Sequence, residues 1–209
     1  MVVVGRRAEP LERLAHELQG SGNAYAICAD LSDPASVPAL AAQVRNAVGE
    51  IDVLYYAPTP DGDFVPAAEL TSAHAAAFMP LTFYTLVELV HEFLPGMLRR
   101  GAGGILTAQG ASSTLGQPNR SGPGPAQAAQ RNYLQSLHAE LAPKGIYVGM
   151  LYVGAIIENS AFHTWVSHDP DKGQSWGQTV DPSHLADLLW TMYSHPGAAE
   201  VAFPPADGR

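Results

Sequence analysis

Three hydroxyl side chains in the middle of the sequence are candidates for contacting a ligand. Ser112, Ser113 and Thr114 follow residues 104–108, an apolar stretch with the composition of a buried strand. Ligands of open parallel sheets bind at the carboxyl ends of the strands. We therefore predict that Ser112 contacts a substrate, the alternative being a turn in which these hydroxyls satisfy backbone groups.

Histidines and aspartates form a second group of candidates. His163 and His168 lie near Asp169 and Asp171, in a stretch rich in Pro, Gly and His. These side chains lack the tight spacing of metal ligands on a helix, so we expect a solvated loop and no metal site.

The composition bounds the classes of function. The 209 residues are 46% hydrophobic and carry a formal net charge of −9, and no apolar run reaches the ~18 residues of a membrane span. An acidic surface repels phosphate backbones and anionic lipids, so we expect neither a nucleic-acid nor a membrane partner. The single cysteine, Cys28, excludes an internal disulfide and is typical of a cytoplasmic protein.

The elements that would position these residues alternate between short apolar runs and amphipathic stretches. Strands are predicted at residues 2–4, 24–29, 51–57, 104–108, 146–153 and 200–203. Helices are predicted at about 10–18, 34–48, 80–100, 126–142 and 182–192, with a long loop from 158 to 180. Strands separated by helical crossovers predict an α/β fold with a doubly wound, mostly parallel sheet in a single domain, residues 1–209.

Five segments resemble the short-chain dehydrogenase/reductase family, and together they cover nearly the whole chain. They are VVVGRRAEPLERLAHEL, ADLSDP, GEIDVLYYAP, FLPGMLRRGAGGIL and RNYLQSLHAELAPKGIYVGMLYVGAI, in the order and spacing of the family. The resemblance implies a Rossmann-like fold, a nicotinamide cofactor and oxidoreductase activity.

The same resemblance identifies catalytic side chains that this sequence lacks. The family uses a Tyr and, four residues later, a Lys, at positions that read Pro123 and Gln127 here, and its serine falls at Gly110. The phenol transfers the substrate proton, while the ammonium lowers the pKa of the phenol and holds the ribose. Neither proline nor a neutral amide can do this. The catalytic residues are therefore unknown from the sequence, and the usual relay is not expected.

The resemblance also implies cofactor contacts at seven positions. They are Arg6, Arg7, Asp30, Leu31, Ala57, Gly154 and Ile156. A basic residue at the position of Arg6 and Arg7 accommodates the 2′-phosphate of NADP, whereas an acidic one would bond the ribose of NAD. NADP is thus the predicted cofactor, with NAD as the alternative. The two arginines could instead be solvated, and Asp30 and Leu31 could instead cap a helix and pack in the core.

The first strand and glycine-rich turn of the family have no counterpart in this sequence. That strand lies in the middle of a Rossmann sheet, so its absence should leave two unpaired strand edges inside the molecule. Its turn holds the diphosphate of the cofactor at a helix N-terminus. We expect either a fragment whose upstream segment carries the turn, needed for cofactor binding, or a sheet that closes without the strand and has no diphosphate site.

Residues 158–180 correspond to the substrate lid of the family. Trp165 is a predicted substrate contact there, although its ring could instead pin the segment to the core. The helices near 80–100 and 126–142 resemble those of the family's dimer contacts, which implies a homodimer or homotetramer. The predicted function is NADP-linked oxidoreduction of a small, partly apolar molecule without the usual relay. The alternatives are a non-redox cyclase or lyase and a catalytically dead ligand-binding protein.

Overall fold

The computed structural model describes residues 1–60, 62–168 and 177–205. The strands are β1 (Val2–Gly5), β2 (Tyr25–Cys28), β3 (Val53–Tyr56), β4 (Gly103–Gly110), β5 (Ile146–Val153), β6 (Ile156–Ile157), β7 (Thr179–Val180) and β8 (Glu200–Phe203). The helices are α1 (Ala8–Leu18), α2 (Val37–Val48), α3 (Ser72–Met79), α4 (Thr85–Arg100), α5 (Pro123–Leu141), α6 (Ala161–Ser167) and α7 (Pro182–Ser194). Each predicted strand and helix has a counterpart among them.

The central sheet is parallel throughout. Its four strands follow the order β3-β4-β5-β8, and the long pair β4–β5 is in register from Gly103↔Ile146 to Gly110↔Val153. β1 and β2 form a separate parallel pair, and β6 pairs with β7. Parallel neighbours require a crossover between strands, and helices supply it here. The predicted doubly wound α/β fold is confirmed.

Helices cover the two faces of the sheets around separate cores. On the first face, α2, α4 and α5 share one apolar core with β2, β3, β4 and β5. On the second face, α7 packs on the side chains of β4 and β5 that point the other way, such as Leu106 and Leu151. α1 also lies on the second face, because Val2 and Val4 point into the first core while Leu11 approaches Gly5.

The sheet is interrupted between β1 and β3. Both strands contribute to the first core, through Val4 and Leu54. Nevertheless no ladder joins them in the described part of the chain, and β1 pairs only with β2, while β3 pairs only with β4. The expected unpaired edges are therefore a feature of the 209-residue chain.

Two helices begin earlier than the periodicity predicts. α3 and a π-helical turn, Pro80–Tyr84, precede α4, so that residues 72–100 form one continuous helical stretch. α5 begins at Pro123 rather than at 126, because a proline at the first helical position has no amide to leave unpaired. Periodicity missed both starts because they are rich in Ala, Gly and Pro, which contribute little to a hydrophobic pattern.

Residues 72–100 are also long enough for a membrane span and contain an 18-residue window with a mean hydropathy of 1.3. One such helix is weak evidence for a membrane, since core helices pass the same test. α4 buries Leu86, Leu89 and Phe93 in the first core against α2 and the sheet. We therefore interpret α4 as a helix of the first core.

Candidate functional site

The start of α5 lies over the end of β4. Because the strands of the central sheet are parallel, their carboxyl ends share one edge, and β4 ends there in a turn, Ala111–Ser113. A Cβ on Gly124, in the first turn of α5, would be 3.4 Å from the carbonyl oxygen of Ser112. This approach brings Ser112 next to the helix positions where the family keeps its Tyr and Lys.

A serine–glutamine pair occupies this place. The Ser112 hydroxyl donates to Gln127 Oε1 at 2.6 Å, and both residues are half-buried. A Cβ at Gly110 would lie 3.2 Å from Gln127 Oε1 and 3.3 Å from Ser112 Oγ, so a serine at position 110 would crowd the pair. Pro123 is buried at the first position of α5. The departures from the family pattern at 110, 123 and 127 are therefore compatible with one another.

The pair can hold a polar oxygen but cannot relay a proton near neutral pH. A hydroxyl and an amide offer hydrogen-bond donors and acceptors, and neither titrates in that range. Tyr56 does not replace the missing phenol, because it is buried and donates its hydroxyl to the carbonyl of Leu81, and burial raises the pKa of Tyr56 well above its usual value. Tyr55 points to the opposite side of β3, with 54% of the residue exposed.

Arg6 and Arg7 follow β1 at the same edge. Both are exposed, and Arg7 is the residue before α1. Cys28 donates its thiol to the carbonyl of Arg6 at 3.2 Å, which brings the end of β2 beside them. The Asp30 carboxylate accepts from the amide of Ser32 at 2.9 Å and from its hydroxyl at 2.7 Å. These hydrogen bonds, together with the positive charge of Arg6, lower the pKa of Asp30. The Asp30 carboxylate thus stabilises a local turn.

The other four predicted cofactor contacts divide into two kinds. Ala57 and Gly154 follow directly after β3 and β5, at the ligand-binding edge. Leu31 is half-buried against the first core, and its carbonyl accepts from Thr85 Oγ1 at 2.6 Å. Ile156 is buried within β6. The side chains of Leu31 and Ile156 therefore serve packing, which leaves their backbone groups for a ligand.

The predicted lid is described at residues 158–168 and 177–180, and the rest of it, 169–176, lies outside the described residues. The described parts are more regular than the predicted loop, since they contain α6 and the β6–β7 pair. Trp165 of α6 stacks on Phe162 with 5.5 Å between ring centroids and is 47% exposed. An indole anchored on one side and open on the other can cover an apolar ligand.

The histidines of this segment make local contacts. His163 Nδ1 accepts from the amide of Asn159 at 3.2 Å, and His168 Nδ1 lies 2.6 Å from the carbonyl oxygen of Thr164. Asp169 and Asp171 lie outside the described residues. Over 1–60, 62–168 and 177–205, no three His, Cys, Asp or Glu residues are grouped to hold a metal ion.

Sequence reasoning missed four buried polar side chains in β4, in the turn after it and in the π-helical turn. Thr82, Thr107, Gln109 and Ser113 are buried, and their polar atoms lack a hydrogen-bond partner within the described ranges. Thr107 and Gln109 point to the same side of β4, while Thr82 lies in the π-helical turn that contacts α5. Polar residues at alternate positions of an apolar strand were the available signal.

The described residues fit the adenosine end of NADP better than its diphosphate. Arg6 and Arg7 present two exposed guanidinium groups after β1, where a 2′-phosphate would be held. A diphosphate needs backbone amides in a turn between a strand and a helix N-terminus. No described residue forms such a strand and turn between β1 and β3.

Curated proteins resemble this chain in sequence, and solved structures resemble it in fold. A Mus musculus protein, Dehydrogenase/reductase SDR family member 7B, is 26% identical over 170 residues, which are 76% of this chain and 50% of that protein. The chain thus spans about half the length of this relative. The sorbitol-6-phosphate 2-dehydrogenase of Erwinia amylovora superposes with a TM-score of 0.81 at 22% identity, over 95% of this chain and 86% of that one.

A further solved structure has a non-standard site of its own. It is an NADPH-bound short chain oxidoreductase from Pseudomonas aeruginosa PAO1, described as containing an atypical catalytic center. Its TM-score is 0.81 at 18% identity, over 100% of this chain and 87% of that one. At such identities the two structures show a common fold. The profile of the short chain dehydrogenase family matches residues 1–166. The chain therefore belongs to the short-chain dehydrogenase/reductase family.

Proposed function

We propose that this chain is an NADP-linked oxidoreductase that acts on a small, partly apolar molecule with a serine–amide pair in place of the phenol–ammonium relay. The contact between Ser112 and Gln127 at the end of β4 carries the proposal, because it fills the catalytic place of an oxidoreductase family with neutral hydrogen-bonding groups.

The pair would act by orientation and by stabilising charge. Gln127 Nε2 is a neutral donor, and a carbonyl oxygen placed within its reach gains a hydrogen bond as negative charge develops on that oxygen. Ser112 fixes the amide through its bond to Oε1. When bound, NADPH would supply the hydride. The proton of the product alcohol would come from water, because neither side chain titrates near neutral pH. Correct orientation alone can remove a large part of the barrier.

Three observations support NADP over NAD. Arg6 and Arg7 are exposed at the position that faces the adenosine ribose in the family. One guanidinium group can donate two parallel hydrogen bonds to the oxygens of a phosphate. The acid nearby, Asp30, is already engaged by Ser32 and so offers the ribose of NAD less of its hydrogen-bonding capacity. The Pseudomonas aeruginosa oxidoreductase with the same fold and an atypical center is itself NADPH-bound.

Titration of the full-length protein with NADPH and with NADH, followed by fluorescence and thermal unfolding, tests the proposal. A ligand of the folded state at a hundredfold excess over its Kd adds ~2.7 kcal/mol to the free energy of unfolding. We expect NADPH to stabilise more than NADH, and the double variant R6A/R7A to lose that preference. Arg13→Ala, an exposed arginine of α1, is the matched control. The absence of a response to either nucleotide would reject NADP-linked activity.

A ligand-binding protein without catalysis is the second candidate, because the serine–amide pair lacks an acid. Binding of NADPH without reduction of any aldehyde or ketone in a broad panel would favour it. A cyclase or lyase on the same fold would convert its substrate with no nicotinamide present. For each of these candidates we also propose a cytoplasmic homodimer or homotetramer.

A further inference from the structure

Four buried polar side chains take no part in the proposed chemistry. They are Thr82, Thr107, Gln109 and Ser113, each no more than 8% exposed, and we call them the polar layer. Their five polar atoms have no hydrogen-bond partner within the described ranges. Each buried polar atom without a partner costs free energy, and five of them together would cost about as much as the whole folding stability of a typical domain. The polar layer therefore needs partners.

The sheet register brings Thr82 over Thr107. Thr107 of β4 pairs with Tyr56 of β3 in the parallel ladder, so the two side chains lie next to each other on the first face of the sheet. The Tyr56 hydroxyl donates to the carbonyl of Leu81. Thr82 is the next residue of the π-helical turn, so this turn reaches the sheet beside Thr107.

Gln109 and Ser113 continue the polar layer towards the end of β4. Gln109 points to the same side of the strand as Thr107 and lies about 6.6 Å further along it. Ser113 belongs to the turn that follows β4, and that turn packs against α5. Because α5 also contacts the π-helical turn and β4, these three elements enclose the polar layer.

We propose that the polar layer binds internal water, about two molecules, between β4, the π-helical turn and α5. A buried water makes about three hydrogen bonds to polar groups of the protein, so two waters are enough for five atoms. Hydroxyl and amide side chains supply both the donors and the acceptors that water needs.

The burial and the charge of the polar layer favour water over a larger or a charged ligand. None of the five atoms is open to the surface, so a larger molecule has no entry. The four side chains are neutral, and a buried ion needs charged partners. In the part of the chain that the structure describes, no three His, Cys, Asp or Glu residues are grouped to hold a metal ion. Apolar cavities stay dry, whereas polar groups without partners hold water.

The bound water would fasten the π-helical turn and the turn after β4 to the strand between them. It also lies next to the serine–amide pair along the chain, because Gln109 precedes Gly110 and Ser113 follows Ser112. The proposal depends neither on nicotinamide binding nor on activity.

The number of long-lived internal waters tests the binding directly. Magnetic relaxation dispersion of the solvent, measured on the 209-residue protein, counts the waters that stay inside it. We expect the double variant T107V/Q109M to hold about two fewer than the natural chain. Thr85→Val is the matched control and should lose none, because the buried Thr85 hydroxyl already donates to the carbonyl of Leu31 at 2.6 Å. An unchanged count in T107V/Q109M would overturn the proposal.

The sign of the stability change separates a hydrated layer from a dry one. Thr107→Val keeps the shape of the side chain and removes its hydroxyl. Removing a hydroxyl that has no partner would relieve a cost of burial and lower the equilibrium constant of unfolding. Removing one that holds water leaves the water and its other partners with an unmade bond, so we expect urea unfolding to show a constant about 5–30-fold higher. A constant that is unchanged or lower would contradict the proposal.

A cycle of variants tests whether Thr82 and Thr107 share water. Thr82→Val should raise the unfolding constant by a similar factor. A shared water can be lost only once, so we expect T82V/T107V to raise the constant by clearly less than the product of the two single factors. Agreement with that product within about twofold would assign the two hydroxyls to separate partners, and the polar layer would then not be one water-binding site.

Discussion

Gly110, Ser112 and Gln127 depend on one another at the scale of single residues. The Gln127 amide lies close to where the Cβ of a residue at position 110 would be. Its Oε1 accepts a hydrogen bond from the Ser112 hydroxyl at 2.6 Å. Replacing the family's lysine by glutamine removes a charge, and replacing its tyrosine by Pro123 removes the acid. In the proposed mechanism the site therefore has no proton relay but keeps hydrogen-bonding groups in that place.

Restoring the relay should restore ordinary turnover. In the double variant P123Y/Q127K the ammonium would lower the pKa of the new phenol, so we expect NADPH-dependent reduction of small ketones to rise by at least ~100-fold. The rate should also acquire a pH dependence that the natural chain lacks, measured between pH 6 and 10. P123F/Q127K, which has no hydroxyl, is the matched control and should gain nothing. An equal gain in both variants would contradict this role of the missing phenol.

A second residue-scale cluster anchors the edge strand β8. Glu200 accepts from Arg131 at 2.7 Å and from the hydroxyl of Tyr152 at 2.6 Å, and Gln135 adds a bond at 3.0 Å. The hydrogen bond from Arg131, foremost, holds the pKa of Glu200 below its usual value of 4.5. Because the folded-state pKa is the lower one, this stabilisation is complete above pH 4.5 and is lost as pH falls through the folded-state value.

Acid unfolding should report this cluster. We expect Glu200→Gln to lower the free energy of unfolding at pH 7 by about 1–3 kcal/mol and to flatten its fall between pH 5 and 3. Arg131→Met should move the acid midpoint upward, because Glu200 then loses its charged partner. Urea unfolding at a series of pH values measures both. An unchanged acid limb in E200Q would show that other carboxyl groups control it.

At the scale of elements, a tight turn sets where α5 leads into β5. Gly145 has φ of +77°, and a Cβ there would lie 2.2 Å from the backbone oxygen of Gly101. Gly101, at the end of α4, has φ of +64° but open space around its missing Cβ. The two glycines share the left-handed conformation and differ in the clash, so they form a natural comparison.

We expect Gly145→Ala to destabilise far more than Gly101→Ala. Gly101→Ala should lower the free energy of unfolding by about 1 kcal/mol, the cost of the left-handed conformation alone. Gly145→Ala adds a backbone clash and should lower it by at least twice as much. Urea unfolding at 25 °C gives the two free energies. Equal losses would mean that the turn relaxes freely and does not fix the position of α5.

Local sequence signals predicted the elements but not all of their starts. The strands 146–153 and 200–203 agree with the structure to the residue, because apolar β-rich runs bounded by Gly and Pro are read locally. α3, which precedes the predicted start at residue 80, had no such signal because it is rich in alanine. The helix α6 and the β6–β7 pair were also missed, because the Pro, Gly and His residues of that segment predict a loop.

At the scale of the whole molecule, α4 and α5 remain the expected contact surface between copies. Ala128 is exposed on α5 and would permit close approach of a partner helix. We expect light scattering to show a dimer or tetramer, and Ala128→Arg to reduce it to monomers. Ala186→Arg, at an exposed alanine of α7, should leave the assembly intact. Dissociation by A186R alone would place the interface on the opposite face.

The sequence by itself determined the fold class, the family and the fact that no Tyr or Lys lies between Gly110 and Gln127, because periodicity and residue identity are local properties. The tertiary structure alone decided that Ser112 reaches Gln127, that Arg131 holds Glu200 sixty-nine positions away, and which polar side chains of β4 are left without partners. It also placed the expected gap between β1 and β3, which no ladder joins in the described part of the chain. Such contacts depend on how the helices pack over the sheet, and no single segment of the sequence determines that packing.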